Sequence, residues 1–125
     1  MQGLRVLLLG PPRLELDGQA LTRLMAAKHQ ALVFHLAAEG RAVPRTRLAG
    51  ILWGDLDEAP ARANLRVALT RLRRWLPSLL DIDAQQVGFA AGAPVSVDLQ
   101  ALEQALHERE RPPAERAAPG TRRRR

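Results

Sequence analysis

The stretch at residues 61–76, "ARANLRVALTRLRRWL", contains five arginines and no acidic residue. Guanidinium groups donate hydrogen bonds in a planar fork that matches phosphate oxygens and the edge of guanine. A solvated surface helix normally mixes charges of both signs, because oppositely charged side chains four residues apart stabilise it. Residues 61–76 contain no acidic side chain that could form such pairs within the segment, which favours a surface that binds a polyanion. A protein-contact face and a plain arginine-rich surface stay open as alternatives.

Helical periodicity divides this segment into two faces. With Leu65 as the origin, Leu69, Leu72 and Leu76 fall within about 40° of it, which predicts a buried stripe. The opposite face and its shoulders collect small, amide, hydroxyl and basic residues. Among these, asparagine can pair with adenine, arginine with guanine, and valine or threonine methyls can meet a thymine methyl. The outward residues are Ala63, Asn64, Arg66, Val67, Thr70, Arg71, Arg73 and Arg74.

Other kinds of chemistry have little support in the sequence. The chain has no cysteine and three histidines, of which His29 and His35 are six residues apart and cannot share a metal on one helix. The run "LLLGPP" has neither a phosphate-loop lysine nor a GxGxxG pattern. The acidic residues are dispersed, and no Ser/His/Asp set has the spacing of a known motif. We therefore expect no metal, no cofactor and no enzymatic activity.

The charge and the hydropathy pattern limit the setting in which the protein works. The chain has 125 residues and a net charge of +6, with 19 basic and 13 acidic side chains. A basic surplus concentrated on one segment is typical of nucleic-acid-binding proteins. The apolar run at residues 6–9 is too short for a signal peptide or a membrane span. We expect a cytoplasmic protein that does not contact a membrane.

Three short strands are predicted before the first helix. "LRVLLLG" is rich in β-forming residues and is stopped by Gly10, Pro11 and Pro12. In "RLELDGQAL", leucines alternate with polar residues, and the pair Asp17-Gly18 is a strong signal for a hairpin that leads into a strand at residues 20–22.

Three helices follow these strands. The first is predicted at residues 26–39 and ends at Gly40, the second at 44–52, and the third is the arginine-rich segment 61–76. The apolar positions of the three helices predict one shared core. Its members are Leu32, Leu36, Leu48, Leu52, Leu65, Leu69 and Leu72.

After the third helix, "LLDIDAQQVGFA" predicts two strands around a turn, and "APVSV" predicts one more strand. A further helix begins at Asp98. The order of the elements predicts an α+β fold: a winged helix-turn-helix with an N-terminal antiparallel sheet, three helices and a C-terminal β-hairpin wing. In such a fold the last of the three helices carries the base-reading side chains.

At this level of detail the chain resembles a known family. "LRVLLLG…RLELDG", "RTRLAGILW", "RANLRVALTRLRRWL" and "VSVDLQALEQAL" are similar to the N-terminal part of SARP-type bacterial transcriptional regulators. These proteins join an OmpR-type winged-helix DNA-binding domain to a bacterial transcriptional activator domain. The resemblance covers about residues 3–107.

The resemblance implies sequence-specific DNA binding, with residues 61–76 as the recognition helix in the major groove. We expect base contacts from Asn64, Val67, Thr70 and Arg71. The predicted contacts to the sugar-phosphate backbone come from Arg45, Arg47, Trp53, Arg66, Arg73 and Arg74. For Trp53, an anchor in the core is an equally good interpretation.

Two features depart from the family pattern. Pro44 stands where a hydroxyl residue often caps the second helix, so that cap is lost. The predicted wing, "DIDAQQ", has two aspartates and no arginine, whereas a basic wing usually enters the minor groove. We therefore expect this wing not to bind DNA closely.

The resemblance also predicts the domain organisation and the partners. We expect a winged-helix domain at 1–97, the first helix of a truncated activator domain at 98–110 and a disordered basic tail at 111–125. The expected partner is double-stranded DNA, as direct repeats bound head-to-tail, with RNA polymerase as a further partner. Off DNA the chain would be a monomer or a weak dimer. The alternative is a winged-helix protein-interaction module that has lost DNA binding.

Overall fold

The computed structural model describes residues 3–109 and has an α+β fold with four helices and two small sheets. The predicted basic tail lies outside the described residues. None of the helices within residues 3–109 is both long and apolar enough to span a bilayer.

The first sheet begins with three antiparallel strands: β1 (Leu4–Leu7), β2 (Arg13–Leu16) and β3 (Gln19–Ala20). Asp17 and Gly18 connect β2 to β3, and both have positive φ, 51° and 84°. Positive φ at both central residues is what a tight two-residue hairpin needs, and Asp-Gly adopts it at low cost. The hairpin prediction is confirmed, although β3 starts one residue earlier than expected.

A fourth strand makes this sheet mixed rather than purely antiparallel. β7 (Val95–Val97) pairs parallel to β1, so the strand order is β3-β2-β1-β7. Asp98, which follows β7, accepts hydrogen bonds from the backbone N–H groups of Leu8 (2.7 Å) and Leu9 (3.1 Å). The sequence predicted a strand here, but not its pairing, because parallel partners distant in the chain leave no local signal.

The three helices predicted in the middle of the chain are all present. They are α1 (Ala27–Glu39), α2 (Arg45–Leu52) and α3 (Glu58–Trp75). Gly40 ends α1 in the left-handed conformation (φ 72°), and its N–H donates to the carbonyl of Leu36 (3.0 Å). α3 begins at Glu58, directly after its N-cap residue Asp57 and three residues before the arginine-rich segment, because residues 58–60 form its first turn.

A second sheet flanks the helices. β5 (Leu80–Ile82) and β6 (Gln86–Phe89) form the predicted antiparallel hairpin, and β6 also pairs with β4 (Val43–Pro44) to give the order β4-β6-β5. β4 was not predicted, since two residues are too few to show a periodicity. Pro44 precedes α2 without any side-chain cap, as expected.

The interior is one apolar cluster between the three helices and the two sheets. All seven leucines predicted to share a core are at most 7 % exposed, so that prediction and the register of α3 are confirmed. Burying a leucine contributes about 1.5–3 kcal/mol, so this cluster fixes the rotation of each helix.

The fourth helix, α4 (Asp98–Arg109), lies outside this core. It has no fully buried residue, and Leu102 and Leu106 are 43 % and 50 % exposed. Gln100 Nε2 donates to the carbonyl of Ala37 (3.1 Å), which ties the start of α4 to the end of α1. The α+β class is confirmed. The predicted winged-helix unit had three helices, one sheet and a hairpin, whereas residues 3–109 contain two sheets and four helices, of which α4 matches the further helix predicted from Asp98.

Candidate functional site

The two faces of α3 differ sharply in composition. The inward face consists of small and aliphatic side chains and is buried: Ala61, Leu65, Ala68, Leu69 and Leu72. The outward face is exposed and holds every side chain predicted to contact bases, together with three predicted to contact the backbone: Asn64, Arg66, Val67, Thr70, Arg71, Arg73 and Arg74. Because the inward face is fixed by packing, the outward side chains are presented as one group.

Four arginines of α3 have no acidic partner among residues 3–109: Arg66, Arg71, Arg73 and Arg74. We refer to these four as the arginine face. The remaining arginine of the helix, Arg62, is paired one turn away with Glu58 (Nη1 to Oε1, 2.7 Å). These four guanidinium groups place like charges on one helix without acidic partners among the described residues, and a bound anion would offset that charge.

Two uncharged side chains complete the outward surface. Val67 is 52 % exposed, so this apolar side chain remains largely accessible on the outward face. The Thr70 hydroxyl donates to the carbonyl of Arg66 (3.0 Å), so its hydrogen is used within the helix. With Arg71 and Arg74 these residues line a shallow hollow of about 320 Å³.

The two arginines that open α2 are held by the protein itself. The Arg45 guanidinium donates to the carbonyl of Asp83 (3.1 Å), and the Arg45 N–H donates to the carbonyl of Gln85 (2.9 Å). Arg47 forms an ion pair with Glu39 (Nη2 to Oε2, 3.2 Å). Both were predicted to contact a phosphate backbone, and Arg47 would have to leave Glu39 to do so.

Trp53 belongs to the apolar core. Trp53 is 9 % exposed, and its side chain packs within the main apolar cluster. The ammonium group of Lys28 lies 5.9 Å from the centre of the indole ring and also donates to the carbonyl of Leu52. This burial favours the anchor interpretation over contact with a nucleic-acid backbone.

The tip of the β5–β6 hairpin is acidic and locally ordered. Asp83 Oδ1 accepts hydrogen bonds from the N–H groups of Gln85 (2.7 Å) and Gln86 (2.8 Å). These two N–H groups, followed by the nearby charge of Arg45, lower the pKa of Asp83 below its ordinary value. No lysine or arginine occurs from residue 77 to residue 90. The hairpin therefore presents negative charge at neutral pH.

His29, near the start of α1, is electrostatically linked to the arginine face. Partial burial lowers the pKa of His29, and the positive charge of Arg71 lowers it further. The neutral imidazole is thus favoured beside the guanidinium. The sequence gives no signal that Arg71 acts on His29, because this electrostatic interaction joins two helices that are distant in the chain.

A cleft forms where α2, α3 and the tip of the β5–β6 hairpin meet. It encloses about 210 Å³ and is lined by Arg45, Thr46, Arg62, Leu65, Arg66 and Ala84. We call it the arginine cleft. Contacts to the sugar-phosphate backbone were predicted for Arg45 and Arg66 but not for Arg62, although Arg62 lies one helical turn before Arg66. Only the fold brings the second helix and the hairpin tip beside these residues.

Metal binding was tested against the described side chains. Within residues 3–109 there is no group of three or more histidine, aspartate or glutamate side chains that could hold a metal ion. The candidate site is a surface of guanidinium, amide, hydroxyl and methyl groups on α3.

Comparison with known proteins does not place the chain in a family. No protein-family model matches the sequence, and no curated protein matches it.

Proposed function

We propose that the chain is a winged-helix DNA-binding domain of a transcriptional regulator and that α3 binds in the major groove. The observation that carries this proposal is the arginine face, whose four guanidinium groups have no acidic partner within residues 3–109. An α-helix fits the major groove, and cations that neutralise phosphates supply most of the sequence-independent affinity.

The outward residues divide between reading bases and holding the backbone. Asn64, Val67, Thr70 and Arg71 are the proposed base contacts, with the methyls of Val67 and Thr70 against thymine. The proposed phosphate contacts are Arg66, Arg73 and Arg74. Phosphate contacts set the position of the helix, and base contacts specify the sequence.

Of the three remaining predicted backbone contacts, two are left out of the proposed interface and one is kept. Arg47 is engaged by Glu39, and Trp53 is buried in the core, so neither is included in the proposed interface. Arg45 is kept in the interface, because Arg45 and Arg66 both line the arginine cleft.

The winged-helix form is supported by the order of the elements. Three helices are followed directly by the β5–β6 hairpin, in the place where a wing would be. The sequence resemblance to SARP-type regulators supports the same form, with α4 as the start of an activator domain. On this proposal the domain binds direct repeats head-to-tail and acts with RNA polymerase. The acidic hairpin would not enter the minor groove as a basic wing does.

The proposal is tested by selecting bound fragments from random double-stranded DNA. We expect enrichment of a short motif that matches one major-groove face, and a fall in affinity as salt rises. A pool that stays unenriched after several rounds, at low salt, would overturn sequence-specific binding.

A second candidate is a protein-interaction module, and the exposed apolar side of α4 favours it. Leu102 and Leu106 are about half exposed on a helix that has no fully buried residue. On this alternative the domain would show no gel shift with genomic fragments at low salt, whereas the DNA-binding proposal predicts a shift under the same conditions.

A further inference from the structure

Arginines from two helices line the arginine cleft, and the proposed function uses Arg45 and Arg66 but gives Arg62 no role. We infer that this cleft is a preformed seat for one phosphoryl group, with Arg45, Arg62 and Arg66 as its cationic donors and Thr46 as a hydroxyl donor. If the DNA backbone supplies this phosphoryl group, the inference rests on the proposed function. If a free diphosphate supplies it, the inference does not depend on that function.

The shape of the cleft suits a compact anion. Its volume of about 210 Å³ exceeds that of several water molecules at about 30 Å³ each. Leu65 and the Ala84 methyl form apolar walls, which reduce the competition from water for the guanidinium donors. Charge-assisted hydrogen bonds between arginine and phosphate are among the strongest that proteins form.

One donor is already held in position before any anion arrives. Arg45 is fixed from two directions, by its side chain on the carbonyl of Asp83 and by its N–H on the carbonyl of Gln85. A donor ordered in advance loses less conformational freedom on binding, so more of the interaction appears as affinity.

The other two donors, Arg62 and Arg66, differ in whether they must leave an acidic partner before they bind an anion. Arg66 has no acidic partner among the residues described. Arg62 is paired with Glu58, whose side chain is 84 % exposed. Glu58 therefore competes with an incoming phosphoryl group for the same guanidinium. Removing the Glu58 charge should strengthen anion binding, an effect that a folding defect cannot produce.

The test titrates the full chain with pyrophosphate at constant ionic strength and follows backbone and arginine side-chain NMR signals. We expect saturable shifts confined to the signals of the cleft residues. Arg62→Gln should weaken the fitted affinity about tenfold, as expected for the loss of one charge-assisted contact. The matched control Arg13→Gln removes the same charge from an exposed position on β2 and should change the affinity less than about twofold.

A gain of binding provides the second arm. Glu58→Gln should tighten pyrophosphate binding several-fold, and more than Glu15→Gln does. Glu15 is the control because its ion pair with Arg5 has the same length, 2.8 Å against 2.7 Å, but lies on the first sheet. Shifts that do not saturate, or equal effects of each variant and its control, would overturn the inference, since diffuse charge alone would then account for the binding.

A DNA arm separates the two sources of the phosphoryl group. If the backbone supplies it, Arg62→Gln lowers the slope of log K against log salt by about one unit, and pyrophosphate competes with DNA. If a free diphosphate is the ligand, pyrophosphate binds as above, while DNA binding is absent or Arg62→Gln leaves the affinity for DNA and its salt slope unchanged. The second result would overturn the proposed DNA contact at the cleft and leave the phosphoryl seat supported.

Discussion

Arginines occur on both α2 and α3, but the two helices differ in the acceptor groups that surround the arginine side chains. Arg45 and Arg47 of α2 donate to a carbonyl and to a carboxylate of the same chain. The arginine face of α3 has no such acceptors within residues 3–109. The difference teaches that residue type alone does not identify a ligand contact, because the Arg47 guanidinium must leave the Glu39 carboxylate before it can bind a phosphate.

The comparison depends on the rotation of α3, and its buried face sets that rotation. We expect Leu69→Ala to lower the free energy of unfolding by about 2–5 kcal/mol, because Leu69 is 2 % exposed and its loss leaves a cavity. Val67→Ala, on the outward face, should change it by less than about 0.5 kcal/mol. Denaturant unfolding of both variants measures this, and equal costs would mean that the two faces are not distinct.

Within α3, the arginines that read bases should separate from those that hold phosphates. Arg71→Ala should cost about 1–3 kcal/mol on the preferred site and little on random DNA. Arg74→Ala should weaken both alike and lower the salt slope by about one unit. Fluorescence anisotropy at several salt concentrations measures both effects. Equal losses for Arg71→Ala on specific and random DNA would show that its charge only holds the backbone.

The internally held arginine of α2 should matter less for DNA than the arginine face does. We expect Arg47→Gln to leave the salt slope unchanged, because Glu39 occupies the guanidinium, and to cost at most about 1 kcal/mol of stability for the exposed ion pair. Arg74→Gln is the matched control that should lower the slope. A fall of one unit for Arg47→Gln would show that Arg47 leaves Glu39 for a phosphate.

Much of this arrangement could be predicted from the sequence. The leucine spacing on α3 identified its buried side, and the outward residues followed from that register. The hairpin at Asp17-Gly18 and the end of α1 at Gly40 also have local signals. The acceptors of Arg45 and Arg47 could not be predicted, because Asp83 and Glu39 lie 38 and 8 residues away and are brought close only by the fold. The mixed first sheet was missed for the same reason.

The smallest effect that we expect is a pH dependence centred on His29. Partial burial lowers its pKa and the charge of Arg71 lowers it further, so the folded chain binds fewer protons than the unfolded chain just below pH 6.5. The contribution of this group to stability is complete above the pKa of the unfolded state and is lost as the pH falls below it. NMR titration should show the pKa of His29 rise in Arg71→Ala. An unchanged pKa would show that Arg71 does not act on α1.

The parallel pairing of β1 with β7 has a consequence for how the chain folds. The hydrogen bonds from Leu8 and Leu9 to Asp98 join residues 90 and 89 positions apart. Contacts of such high sequence separation form late, because the loop-closure entropy must be lost first. On a ribosome, β1 emerges before β7 and cannot pair with it until α1, α2 and α3 have been synthesised. We therefore expect α1, α2 and α3 to collapse around their leucines early and the first sheet to close last, so that an unpaired edge of β1 is the aggregation-prone feature of the nascent chain.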